Sequence, residues 1–149
     1  MSVMQERTGW RDLEFSKRYR FYGDSCCAVD LDYMPCRFVE YYQSRPVAII
    51  EYKHEKAIQQ DYSRPNFQVL IWLGNKAELP VFCVRYSADF SQFIIDPLND
   101  YALKFCTGRV HVSEFEFVRF LHTLRGLKVH DDYIKFLLKK ADDEKCQTQ

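Results

Sequence analysis

No charge of either sign predominates in this chain: 21 lysines and arginines meet 21 aspartates and glutamates, for a formal net charge of zero. That balance argues against a protein that coats nucleic acid without selectivity, which would carry surplus cations. It leaves room for an enzyme whose acidic site offsets a basic groove. No run of about 18 apolar residues occurs, so no membrane span is expected. The opening Met1-Ser-Val-Met-Gln-Glu-Arg lacks the apolar stretch of a signal peptide, and the expected compartment is the cytosol. The five glycines are dispersed and form no phosphate loop. Cys26, Cys27, Cys36, Cys83, Cys106 and Cys146 match no zinc spacing, and in a reducing compartment they should be free thiols packed in strands. None sits at a helix start beside a basic group, which argues against a thiol–imidazole nucleophile.

Aromatics are plentiful, with ten Tyr and twelve Phe, and most should be core because their burial removes large areas from water. A length of 149 residues with 47% apolar side chains fits a single globular domain. Residues 8–22 read as a helix with Trp10, Leu13 and Phe21 on one side, Thr8 as its cap and a break at Gly23-Asp24-Ser25. Residues 26–33 read as a strand, and Phe38 to Tyr42 either continue it or form a second piece. Gln43-Ser-Arg-Pro46 reads as a turn leading to an antiparallel strand over 47–53. A helix is expected over Asn66 to Lys76 after Pro65, then strands over 80–86 and 90–95. Ser113-Glu-Phe-Glu116 is a capping box opening a helix to about Arg125, with Gly126 as its stop. Tyr133 to Lys140 reads as a last amphipathic helix.

The fold class expected is therefore mixed α/β: a central mixed four-stranded sheet flanked by helices, with two helices at the C-terminal end. Its core spans about 8–97, the helical part about 98–141, and 142–149 should be frayed.

The chemistry concentrates in Pro46-Val-Ala-Ile-Ile-Glu51-Tyr-Lys53. An apolar run ends in an acid and a base two positions apart, and strand alternation puts both on one face. Upstream, Asp30 and Asp32 share a face in Val29-Asp-Leu-Asp-Tyr33. Carboxylates on central strands are costly unless they hold a partner. Hard oxygen donors suit Mg2+, or Mn2+, which needs only one or two protein carboxylates and keeps several waters. Asp32 and Glu51 are the preferred ligands, with the backbone carbonyl of Tyr52 as a further oxygen. Asp30 could bind a second ion or replace Asp32. Lys53 would hold the attacking water and stabilise charge on the phosphoryl oxygens.

An aspartate-bearing strand followed by an apolar strand ending in Glu-x-Lys resembles the PD-(D/E)XK nuclease superfamily, over roughly residues 10–96. That resemblance implies a core of helix, three strands, helix and strand, as in restriction endonucleases and Holliday-junction resolvases. It also implies magnesium-dependent cleavage, mostly of DNA. Asp32 (or Asp30), Glu51 and Lys53 then take catalytic positions. Glu14 matches the acid that many members add from the first helix. Gln68 matches a glutamine of the following helix, ahead of Gln59 and Gln60. No proline precedes either aspartate. A simple turn at Ser44-Arg45 would set Phe38 opposite Glu51, so the family geometry needs a bulge or loop at Met34-Pro-Cys-Arg37. Asp32 needs less slack than Asp30.

Arg11, Lys17, Arg18 and Arg20 could contact phosphate or simply form a solvated helix face. Tyr19, Tyr41, Tyr42 and Tyr62 could stack on bases, though packing is the simpler role. His54 could assist proton transfer; His111, His122 and His130 read as structural. The alternative to a nuclease is a catalytically inactive fold of the same kind that binds protein or nucleic acid. A third possibility is a subunit that docks through Phe115, Phe117, Phe120 and Phe136. A nuclease this small that cuts both strands could do so as a homodimer, and a compact stand-alone nuclease suits a phage or mobile element.

Overall fold

Apolar alternation in the middle of the chain builds one large sheet. The computed structural model describes residues 3–6, 9–30, 37–57 and 61–147, and for 3–6, 9–13, 29, 30 and 37 it describes the backbone. Strands β1 (Val3–Glu6) and β2 (Gly9–Asp12) pair antiparallel and precede helix α1, Leu13–Tyr19. The helix expected from residue 8 thus begins at Leu13. The backbone of 9–12 finds its partners in β1, and Gly9 is a poor residue for a helix.

Strands β3 (Cys27–Asp30), β4 (Arg37–Tyr42) and β5 (Arg45–His54) form an antiparallel meander. Gln43 and Ser44 lie between β4 and β5 with φ of 50° and 62°. Two successive left-handed residues suit the twist of a tight hairpin. The turn is therefore these two residues, and Pro46 falls inside β5 opposite Tyr41, next to a register shift at Glu40/Tyr41. β4 separates β3 from β5, so the direct pairing expected between the aspartate strand and the glutamate strand does not form.

Helix α2 (Pro65–Ala77) crosses over to β6 (Val81–Tyr86), which runs parallel to β5. A parallel neighbour requires such a crossover. Pro65 occupies the first turn and Arg64 before it is extended, as the residue preceding proline prefers. Gly74 lets α2 approach β6: a Cβ there would stand 2.2 Å from Val81 Cγ2. There follow β7 (Gln92–Pro97), the short helix α3 (Asp100–Leu103), β8 (Val110–Ser113), α4 (Glu114–Leu124) and α5 (Asp131–Gln147). The capping box forms: Ser113 Oγ accepts from Glu116 N at 3.2 Å, and Glu116 Oε2 accepts from Ser113 N at 3.1 Å.

The mixed α/β class stands, but the sheet has six strands in the order β3-β4-β5-β6-β7-β8 rather than four. β4 is a strand in its own right. β8 is a four-residue edge strand leading into the α4 cap, too short to show its own periodicity. α5 continues to Gln147, through most of the segment expected to fray. Ala141 is buried, and Asp142 accepts a hydrogen bond from Arg18 at 2.9 Å.

One sheet face carries the main core: Phe38, Ile50, Tyr52, Phe82, Val84, Tyr86, Phe93 and Ile95 meet α1, α4 and α5 through Phe15, Phe117, Leu121 and Ile134. Phe117 is thus core, whereas Phe136 is exposed. The other face is covered by α2, with Leu70 on Ile49 and Val81. No helix among the described residues is long and apolar enough to cross a membrane.

Candidate functional site

Ile49 lies on the α2 face, and alternation along β5 puts Glu51 and Lys53 there too. Both are buried, at 1% and 6% exposure. Lys53 Nζ stands 3.2 Å from Glu51 Oε1. Ionised side chains this far from water require partners, and each provides one for the other. The described pairing of β4 with β5 runs to Arg37↔Glu51. Tyr52, Lys53 and His54 pair on the other side with Val84, Arg85 and Tyr86 of β6. The Tyr52 side chain enters the main core and donates to Glu40 Oε1 at 2.8 Å.

Parallel register sets Glu51-Tyr-Lys53 beside Cys83-Val-Arg85, and Cys83 in turn opposite Asp96 of β7. A polar strip therefore crosses the sheet. Arg109 donates to both oxygens of Asp96, Nε at 2.7 Å and Nη2 at 2.8 Å, and the Tyr62 hydroxyl donates to Oδ2. Burial alone would raise the Asp96 pKa, but the hydrogen bonds from Arg109 and Tyr62 and the guanidinium charge outweigh it and hold the carboxyl below its ordinary value. Burial, then the charge of Glu51, pushes the Cys83 thiol up to about 12, so it is a neutral filler. These neighbours escaped the sequence reading, although Cys83-x-Arg85 has the same two-residue spacing as Glu51-x-Lys53. Only the register shows that the two pairs adjoin.

The remaining expected residues are distributed unevenly. Asp32 lies outside the described residues, as do Gln59, Gln60 and Met34 to Cys36, where the bulge was expected. Position 30 pairs with Phe38, in the row of Ile50, which belongs to the main-core face rather than that of Glu51. Glu14 is on α1, which packs on that main-core face, and forms an ion pair with Lys17 at 3.6 Å. Gln68 lies on the correct side of the sheet. Its Nε2 donates to the Tyr62 carbonyl at 2.8 Å, so it anchors the loop whose hydroxyl reaches Asp96. His54 is in edge contact with Tyr86 on the main-core side, and its Nδ1 accepts from Lys56 N at 3.0 Å.

Arg18 is not a groove cation. It is buried, with Nε and Nη2 on Glu114 at 2.9 and 2.7 Å. Tyr19 likewise is no base platform: with Tyr52 and Arg125 it surrounds the wholly buried Glu40, and Arg125 Nη2 donates to Glu40 Oε2 at 2.7 Å. Cys26 Sγ and His122 Nε2 approach to 3.8 Å. Burial pushes that thiol up to about 12 and lowers the imidazole, so the pair is neutral and not an activated nucleophile.

Among the described residues no three His, Cys, Asp or Glu side chains converge as a metal cluster. Glu51 is the hard oxygen donor at the strip, and a magnesium site needs only one or two carboxylates beside its waters. Arg37, the first described residue of β4, is the register partner of Glu51. Comparison with protein-family models, curated proteins and solved structures finds no match to this chain.

Proposed function

We propose that this chain is a metal-dependent nuclease that hydrolyses phosphodiester bonds in DNA. The observation that carries the reading is topological. α1, β3, β4, β5, α2 and β6 follow the helix, three strands, helix and strand of the PD-(D/E)XK core, with β5 and β6 parallel. Glu51 and Lys53 stand near the end of the third strand of that series. A single-sequence motif as short as Glu-x-Lys carries little weight alone; its place on this strand of this topology carries much more.

Glu51, the Tyr52 carbonyl and Asp32 are the groups that would hold Mg2+ or Mn2+, and the ion would polarise the phosphate and acidify a bound water. The rest belongs to the chain. Lys53, at 3.2 Å from Glu51, is placed to orient water and to stabilise negative charge growing on the phosphoryl oxygens. Its burial strengthens that effect, because fewer waters screen it. Glu51 would have to release Lys53 in part to hold an ion, so metal binding should loosen the pair.

The test joins binding to cleavage. Wild-type protein should gain about 2.7 kcal/mol of stability at Mn2+ concentrations a hundredfold above Kd, read as a rise in Tm, and should cut DNA. Glu51→Gln should lose both. Lys53→Met should lose cleavage and keep the Mn2+ shift. No cleavage of any DNA form with either ion would refute the activity. The closed, nearly sealed Glu51–Lys53 pair specifically favours a second reading, an inactive fold that binds a partner. That reading expects no Mn2+ shift at all.

A further inference from the structure

A cavity of about 300 Å³ opens on the α2 face beside the strip, lined among others by Glu55, Tyr62, Cys83, Arg85, Asp96 and Arg109. At about 30 Å³ per water it has room for about ten waters, or for a phosphate with part of its hydration. Its polar groups differ in how far they are neutralised. Asp96 has Arg109 on both oxygens and the Tyr62 hydroxyl besides. Among the described residues Arg85 donates only through Nη1, and only to backbone carbonyls: Ala57 at 3.0 Å, His54 at 3.4 Å and Glu55 at 3.5 Å. Carbonyl dipoles fix the guanidinium in place without cancelling its charge, which also acts on Asp96, whose two oxygens are held by Arg109. Among the described residues no carboxylate forms an ion pair with Arg85, and its Nε and Nη2 make no hydrogen bond. That edge of the planar fork matches two oxygens of a phosphate. Arg109 is held by Nε and Nη2, and among the described residues its Nη1 makes no hydrogen bond. Glu55 is exposed at the rim and opposes an anion there.

Arg85 is the register partner of Lys53. Neighbouring strands lie about 4.8 Å apart, so a chain whose scissile phosphate meets Lys53 passes within reach of Arg85. We propose that this cavity is a subsite for a backbone phosphate flanking the scissile one, with Arg85 as its anchoring cation. The role of Lys53 in that statement rests on the nuclease reading; the phosphate affinity of the cavity does not. Arg85 acts here as a binding and positioning residue, since it lies one strand away from the cleaved bond.

The experiment is binding of a fluorescent single-stranded DNA oligonucleotide in EDTA, followed by anisotropy across a salt series, beside cleavage assays with Mn2+. Arg85→Gln should weaken binding about ten-fold. It should also flatten the slope of log K against log salt by about 0.7, the share of one phosphate on a single strand. Arg85→Lys should keep the slope and lose part of the affinity, because it retains charge without the fork; it carries the test if the glutamine variant does not fold. Glu55→Gln should tighten binding. Inorganic phosphate should compete with the oligonucleotide on wild type and much less on Arg85→Gln. Unchanged affinity and slope in Arg85→Gln, or an oligonucleotide that does not bind while inorganic phosphate does, would overturn the subsite. Cleavage with KM and salt slope indifferent to Arg85 sinks the subsite and leaves the nuclease standing. Arg85-dependent binding without any cleavage does the reverse.

Discussion

At the scale of single residues, the chain keeps its charges in its interior by pairing them. Glu40 and Arg125 side chains are both 0% exposed and 2.7 Å apart. Arg125 also donates to the Cys27 carbonyl at 2.9 Å and the Leu121 carbonyl at 2.8 Å, while Tyr19 and Tyr52 donate to Glu40. One guanidinium thereby ties β3, β4 and α4 together. Removing one partner leaves the other buried and uncompensated, at a cost of about 3–5 kcal/mol. Arg125→Met should therefore lower Tm by roughly 10 °C, at about 2–4 °C per kcal/mol for a chain of this size. The double variant Glu40→Gln with Arg125→Met should recover part of the loss. Thermal melting of the three proteins measures both effects, and equal losses in the single and double variants would contradict the pairing account. Glu51 and Lys53 obey the same rule. They differ in lying near a strand end, beside a polar cavity, where a ligand can intervene.

At the scale of elements, the α2 crossover sets the site. It covers Ile49 and Val81, and through Gln68 and Tyr62 it holds Asp96 and hence Arg109. Its approach to the sheet depends on Gly74, whose missing side chain makes room for Val81. Gly74→Ala gains helix propensity, worth about 1 kcal/mol. It also forces a Cβ into contact far below any normal separation, and overpacking of this kind costs about 1–3 kcal/mol. The net expectation is lower stability with looser oligonucleotide binding at Arg85. Chemical denaturation of Gly74→Ala checks the first part, and a gain in midpoint would show that α2 can shift at no cost. Nothing in the sequence signalled β1 or β8, β2 read as helix, and β4 stayed open between two readings. Its residues Phe38 to Tyr42 are adjacent to a proline-containing connection, so periodicity could not tell a continued strand from a new one.

At the scale of the whole molecule, the buried titratable groups define a pH window. Asp96 is held below its ordinary 3.8, so its folded-state contribution is complete above that value and disappears as pH falls through the lowered one. Cys26 and Cys83 are raised from 9.0 to about 12 by burial. Above pH 9 the unfolded chain ionises these thiols while the folded chain keeps them protonated, so stability declines as pH rises. Tyr19, Tyr22 and Tyr52, raised from 10.0 by burial and by neighbouring carboxylates, steepen that decline. Stability should be highest between about pH 6.5 and 9: below 6.5 the unfolded chain protonates an imidazole that burial keeps neutral at His122, below about 4 Asp96 adds to the loss, and above 9 the thiols lower it. Asp96→Asn should flatten the part of the acid limb below about pH 4 and leave the alkaline limb as it was; melting curves across pH test this, and an unaltered slope below about pH 4 would exclude Asp96 as its source.

Some of this was determined by the sequence alone. Period-two alternation put Glu51 and Lys53 on one face, the Ser113-Glu116 spacing started α4, and Pro65 with its apolar stripe placed α2, because each depends on neighbours within a few residues. Only the tertiary structure decided which strand lies beside which. β4 entered between the aspartate and glutamate strands, position 30 fell on the main-core face, and Cys83, Arg85 and Asp96 came alongside Glu51 and Lys53. It also turned Arg18 from an expected groove or surface cation into the buried partner of Glu114, across 96 positions of chain, and it paired Arg125 with Glu40 across 85. Register and burial are set by the summed packing of both sheet faces, and no local pattern encodes a sum over contacts so distant in sequence.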